Sequence, residues 1–224
     1  MISNIVSIFQ SSGMTFGEKV LYVAMFLACI LFSLIIHECA HGWVAVKCGD
    51  ATAKWMGRLT LNPLKHLDPI GTLCMLFMRI GWAKPVPINP RNFRNYRRDY
   101  ILVSVAGIAV NTLIFLVSTF LSVVALNNMK GQWVYYVFQL LNMLAQMNLC
   151  LAVFNLLPVP PLDGFRLLDQ LVFRGSLNLS QQAMRYIQIG FLFVCVSGML
   201  NGLLNTVIST VFNAVFNFFI SVLG

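Results

Sequence analysis

His37-Glu38-Cys39-Ala40-His41 sets two imidazoles four residues apart with a carboxylate next to the first. On a helix, residues i and i+4 lie on one face, so both rings can hold one metal ion while Glu38 stands beside them as a general base. This is the H-E-x-x-H pattern of zinc sites. In a water-soluble chain it would suggest a zinc peptidase. Here the 17 residues before it, Val20 to Ile36, contain no Asp, Glu, Lys, Arg or His. Ionisable groups inside an apolar membrane helix are costly unless they are paired or bound to a metal, so the setting itself marks a functional site.

The elements that must carry such a site are membrane helices. The 224 residues are 58% hydrophobic and only 10% charged, with a mean hydropathy of +0.79, whereas about a quarter of a soluble domain is charged. The expected fold is an all-α polytopic membrane protein, a bundle of about five transmembrane helices forming one integral membrane domain over residues 1–224. Its core covers 18–168, and C-terminal helices cover 184–223. Spans are drawn at Glu18 to Lys47, Tyr100 to Leu126 and Trp133 to Leu157. The apolar tract from Met184 to Leu223 is read as two helices with a turn at Ser197 to Gly202. The first stretch lacks a basic leader and a small-residue cleavage site, and it reads as a retained span. Leu67 to Trp82 is short, carries Pro69, Gly71 and Arg79, and suits a re-entrant or interfacial element. Ala51 to Leu61 alternates partly between polar and apolar residues, so a β-like segment near 51–82 is expected, with an interfacial loop as the other reading.

Six cysteines scattered through apolar stretches without C-x-x-C spacing indicate neither a disulfide framework nor a zinc ribbon. The net charge of +8 does not point to nucleic acid, because the basic residues gather beside apolar spans. Lys84, Arg91, Arg94, Arg97 and Arg98 crowd the connection before the second span, while the hinge after it holds only Lys130. Under the positive-inside rule the 84–100 loop is cytoplasmic, and His37 to His41 lie toward the cytoplasmic end of the first span. The third span runs the same way and ends in Asn155-Leu-Leu-Pro-Val-Pro-Pro-Leu-Asp163-Gly164, at the same membrane level. A catalytic zinc takes three protein ligands and one open position. Of the seven acids, Asp163 is the best placed to be the third ligand, since three prolines halt the helix before it and Gly164 lets the chain pass close by. By itself the tract reads equally well as a turn.

With these residues set out, the chain resembles the site-2 protease family of intramembrane zinc metalloproteases, in particular its short bacterial members without PDZ or CBS domains. The resemblance rests on His37 to His41, on Asn155 to Gly164, and on two further tracts. These are Gly57-Arg-Leu-Thr-Leu-Asn-Pro63 continuing to His66-Leu-Asp-Pro-Ile-Gly71, and Trp82-Ala-Lys-Pro-Val-Pro-Ile-Asn-Pro90. It implies one Zn2+ per chain held by His37, His41 and Asp163, catalysis by Glu38, and stabilisation of the reacting carbonyl by Asn155. The family often carries Gly-Pro in an Ala-Gly-Pro-x-x-Asn tract on the next core helix, whereas this chain reads Ala106-Gly-Ile-Ala-Val-Asn111. Gly107 and Asn111 remain, and Asn111 is a candidate substrate-binding residue, an interhelical hydrogen bond being the alternative.

The resulting expectation is a zinc metalloendopeptidase of a bacterial cell membrane, active toward the cytoplasmic side. It would cut within or near transmembrane segments of membrane-protein substrates in regulated intramembrane proteolysis. Its partners are the lipid bilayer and a transmembrane substrate, not nucleic acid. A metal-ion transporter would need a polar path through both membrane halves, and the outer half of the first helix is wholly apolar. A noncatalytic chaperone or scaffold would not require the full set of catalytic residues present here. His66 is not assigned to zinc.

Overall fold

The computed structural model describes residues 14–68, 84–177 and 179–223. Helix α1, Phe16–Lys47, begins at a capping box in which Thr15 accepts from the Glu18 backbone N–H and the Glu18 carboxylate accepts from Thr15 N at 2.8 Å. From there the apolar run carries the helix to His37, about 31 Å along its axis at 1.5 Å per residue, so His37 lies roughly a hydrocarbon thickness from the helix start. Helix α2, Thr52–Trp55, is a single turn. Helix α3, Tyr96–Asn128, is capped by the Asn95 side chain, and α4 spans Trp133–Asn155. The short α5, Asp163–Leu171, follows the proline tract. Helices α6, Gln181–Ser197, and α7, Asn201–Leu223, are separated by Gly198 in the left-handed conformation, where a turn was expected.

Among the described residues four helices, α1, α3, α4 and α7, are long and apolar enough to cross a membrane. Helix α6 has 17 residues, about 25 Å, which is short of the ~30 Å hydrocarbon core. Helix α3 is the central element and packs against α1, α4, α5 and α7. Phe115 of α3 is buried with Ala145 and Leu149 of α4, and Phe212 and Val215 of α7 close over them. Phe26 and Cys29 of α1 meet Met143 and Met147 of α4.

No β-strand forms among the described residues. The stretch Ala51 to Leu61, for which a strand was one reading, instead makes α2 and a turn. The Asp50 carboxylate accepts the Thr52 N–H at 3.1 Å and so starts a helical turn, and Gly57 at φ +61° ends it. A local side-chain-to-backbone bond of this kind outweighs a short period-2 alternation. Of the expected re-entrant element, residues 69–82 lie outside the described residues.

Candidate metal and catalytic site

Three elements bring the site together at one end of the bundle. Helix α1 turns His37 and His41 to the same face. The chain leaving α4 meets Pro158, Pro160 and Pro161, which cannot continue the helix, and restarts at α5 with Asp163 in its first turn. Helix α5 folds back beneath the end of α4 because residue 164 is glycine, since a Cβ there would lie 2.2 Å from the Leu156 carbonyl oxygen. Arg97 of α3 fixes the other end of α5, its Nε donating to the Gln170 carbonyl at 3.0 Å.

The result is a convergence of three buried donor atoms. His37 Nε2 lies 3.1 Å from His41 Nε2, and Asp163 Oδ2 lies 3.3 Å from the first and 3.1 Å from the second. Ligands held ~2.0–2.1 Å from a tetrahedral ion stand roughly 3.3 Å apart, so the triangle has the size a zinc ion requires. Protonation leads to the same conclusion. His41 Nδ1 lies 2.7 Å from the Val103 carbonyl oxygen, which can only accept, so Nδ1 carries the proton and a neutral ring leaves a lone pair on Nε2. That lone pair faces the buried Asp163 Oδ2, whose near neighbours are the two imidazole nitrogens. A neutral His41 ring thus sets a nitrogen lone pair against a buried carboxylate, and a cation relieves their repulsion. Arg166, one turn along α5, approaches the other carboxylate oxygen, its Nη1 3.7 Å from Oδ1.

Helix α3 forms the back wall. Val103, Gly107 and Asn111 recur every four residues and therefore share one face. A Cβ at Gly107 would sit 2.4 Å from His37 Cε1 and 2.6 Å from His41 Nε2, which shows how closely this helix presses on both rings. Asn111, fully buried, lies behind His37 with its amide nitrogen 3.1 Å from Nδ1. It is absent from the lining of the cavity in front of the site.

That cavity, of about 590 Å³, is lined by His37, Glu38, His41, Asn155 and Asp163 together with apolar residues such as Phe154. The extended segment before Pro90 forms one wall. In Pro85-Val86-Pro87 only Val86 has an N–H, and it donates to Glu38 Oε2 at 2.9 Å. Arg58 Nη2 donates to the Lys84 carbonyl at 2.8 Å, and Asp50 accepts the Asn89 N–H at 2.7 Å. Asn155 lines the cavity while its Nδ2 donates to the Leu151 carbonyl at 3.0 Å. His66 is buried away from the cluster, its Nε2 2.7 Å from the Thr60 carbonyl oxygen. The sequence reading gave Val103, Val86, Arg58 and Arg97 no role at the site. Val103 and Val86 act through the main chain, which side-chain chemistry does not reveal, and the two arginines bind carbonyls that only the fold brings near.

A family model described as "Peptidase family M50" matches residues 25–197. A Bacillus subtilis (strain 168) protein named "Putative zinc metalloprotease YwhC" is 43% identical over 173 residues, covering 75% of this chain and 78% of that protein. "Putative zinc metalloprotease Rip2" of Mycolicibacterium smegmatis (strain ATCC 700084 / mc(2)155) is 30% identical over 190 residues, covering 78% of this chain and 68% of the relative. The Rip2 of Mycobacterium tuberculosis (strain ATCC 25618 / H37Rv) is 28% identical over 196 residues, covering 82% and 72%. No solved structure matches the chain.

Proposed function

The chain belongs to peptidase family M50 and is a membrane zinc metalloprotease, and from that premise we propose that it hydrolyses peptide bonds within or beside the transmembrane segments of membrane-protein substrates. The observation that carries this reading is the His37–His41–Asp163 triangle beside Glu38, at the ends of helices long and apolar enough to span a bilayer. One integral membrane protease domain accounts for the whole chain.

His37, His41 and Asp163 are the proposed ligands, and a zinc ion bound there would supply an acidified water and polarise the scissile carbonyl. Glu38 takes the proton of the attacking water and returns it to the departing amine nitrogen. The Val86 N–H donates to Glu38 Oε2 and fixes the carboxylate's direction. Asn155, at the rim of the cavity, turns its amide N–H from the Leu151 carbonyl to the oxygen that becomes negative, a contribution typically worth ~3 kcal/mol. A helical substrate hides its peptide bonds in i to i+4 hydrogen bonds, so the cut segment must unwind to enter. The apolar part of the cavity lining suits side chains from such a segment.

The site faces the cytoplasm in this reading. Lys47, Lys54, Arg58, Lys65, Lys84, Arg91, Arg94, Arg97 and Arg98 lie between the last residue of α1 and the first turn of α3, at the site's end of the bundle, against Lys19 in the first turn of α1 and Lys130 in the α3–α4 hinge at the other end. The decisive experiment is cleavage of a synthetic transmembrane peptide in liposomes. Glu38→Gln keeps the shape and loses the base, so it should abolish cleavage while zinc content stays at the wild-type level. Undiminished turnover in that variant would overturn the proposed chemistry.

A further inference from the structure

We propose that Asn111 is a positioning residue for the metal site: its Oδ1 accepts the His37 Nδ1 proton and thereby keeps His37 Nε2 free as a metal ligand. The proposal rests on the ligand assignment given above and extends it to a residue outside the cavity. His41 supplies the pattern. Its Nδ1–H is held by the Val103 carbonyl at 2.7 Å, and that bond turns its Nε2 lone pair toward Asp163. His37 has no carbonyl in the equivalent position. What meets its Nδ1, at 3.1 Å, is the amide of Asn111, two turns further along the same face of α3.

Only one orientation of that amide suits a metal ligand. With Nδ2 toward the ring, Asn111 would donate to Nδ1, and the ring proton would then sit on Nε2, the atom that faces Asp163 and His41. A nitrogen that carries a proton cannot bind a metal. With Oδ1 toward the ring, the proton is held on Nδ1 and the Nε2 lone pair is released. In the structure Nδ2 faces the ring and Oδ1 is buried without a partner; a half-turn of the amide exchanges the two atoms and gives Oδ1 this bond. Two acceptors on one helix face, the Val103 carbonyl and the Asn111 amide oxygen, thus set both histidine tautomers, and Gly107 between them lets the face approach. Outer partners of this kind typically change metal affinity 10–100-fold when removed.

The test is zinc affinity of the purified full chain, measured by competition with a chromophoric chelator, in wild type, Asn111→Leu and Asn111→Asp. Asn111→Leu keeps the volume and has no acceptor, and its affinity should fall 10–100-fold while helical content is unchanged. Asn111→Asp can accept but not donate, and it should stay within about threefold of wild type or bind more tightly. Peptide cleavage at saturating zinc should then be largely restored in Asn111→Leu with KM unchanged. Loss of affinity in Asn111→Asp would show a donor role and overturn the proposal, even if Asn111→Leu failed to fold. Wild-type affinity in Asn111→Leu, with a raised KM, would overturn it in favour of substrate binding. A wild-type chain that bound no zinc would instead remove the reading of the function on which the proposal rests.

Discussion

Gly107→Ala should be among the most damaging one-carbon changes in the molecule. The added Cβ would stand 2.4 Å from His37 Cε1 and 2.6 Å from His41 Nε2, whereas carbon contacts settle at about 3.5–4.0 Å. Relief requires the rings or α3 to move by roughly 1 Å. The ligand triangle, with sides of 3.1–3.3 Å, tolerates about 0.2 Å before bond lengths leave the zinc range. Overpacking of a buried contact typically costs 1–3 kcal/mol of stability, which a multi-helix bundle survives. A 1 Å misplacement of reacting groups can cost about 100-fold in rate. The expected outcome is therefore a folded, membrane-inserted protein with zinc affinity and peptide cleavage each reduced by about two orders of magnitude. Zinc competition and cleavage of a synthetic transmembrane peptide, beside circular dichroism, read all three quantities. Gly107→Ala with wild-type zinc affinity and turnover would refute the view that α3 forms the back wall of the metal site.

Gly164→Ala should abolish zinc binding more completely, because its Cβ would meet main-chain atoms of Leu156 and Leu157 at 2.2–2.6 Å, and these cannot rotate away as a side chain can; retention of zinc would contradict the assignment of Asp163. Asp50 should support stability in a pH-dependent way. Burial pushes its carboxyl up, but hydrogen bonds from Thr52, Asn89 and Asn92 outweigh burial and hold it below the ordinary carboxylate value. Its stabilisation is then present above the unfolded value near ~4 and is lost as pH falls through the lower folded value. Asp50→Asn should consequently be about 1–3 kcal/mol less stable than wild type at pH 7, with the gap in melting temperature closing below pH ~4. A gap that widened on acidification would refute this. Topology is tested by cysteines placed at Asn95 and Asn128, at opposite ends of the 33-residue α3. Above the background of the parent chain, Asn95→Cys should react with an impermeant thiol reagent only in inverted vesicles and Asn128→Cys only from the outside. Labelling of both from one face would overturn the orientation.

The parts of the site that follow from side-chain type and spacing could be read from the sequence. The four-residue interval from His37 to His41 dictates a shared helix face, and an apolar chain with seven acids leaves few candidates for a third ligand. The prolines before Asp163 announce the end of α4, and the structure indeed ends that helix at Asn155. What could not be read depends on main-chain atoms and on approach between helices. Any residue at 103 offers a carbonyl, so nothing in the letter Val marks it as the partner of His41. The donor to Glu38 is legible only afterwards, once Pro85 and Pro87 are seen to leave Val86 as the sole N–H between them. Asn111 stands out through the family resemblance, as a candidate substrate-binding residue or an interhelical hydrogen bond, but its side of the histidines follows only from the rotation of α3 that Gly107 permits. The 51–61 stretch was misleading because a single carboxylate, Asp50, captures Thr52 and starts a helical turn where alternation pointed to a strand.

The central claim is that two imidazoles and one carboxylate, brought together from α1 and α5, hold a zinc ion at the end of a membrane bundle. X-ray absorption at the zinc edge on the purified wild-type chain tests it most directly. The account predicts one zinc per chain in an environment of nitrogen and oxygen alone, at ~2.0–2.2 Å, with two imidazoles in the first shell. A sulfur neighbour at ~2.3 Å, as a site built on Cys39 would give, or a single imidazole, would contradict it.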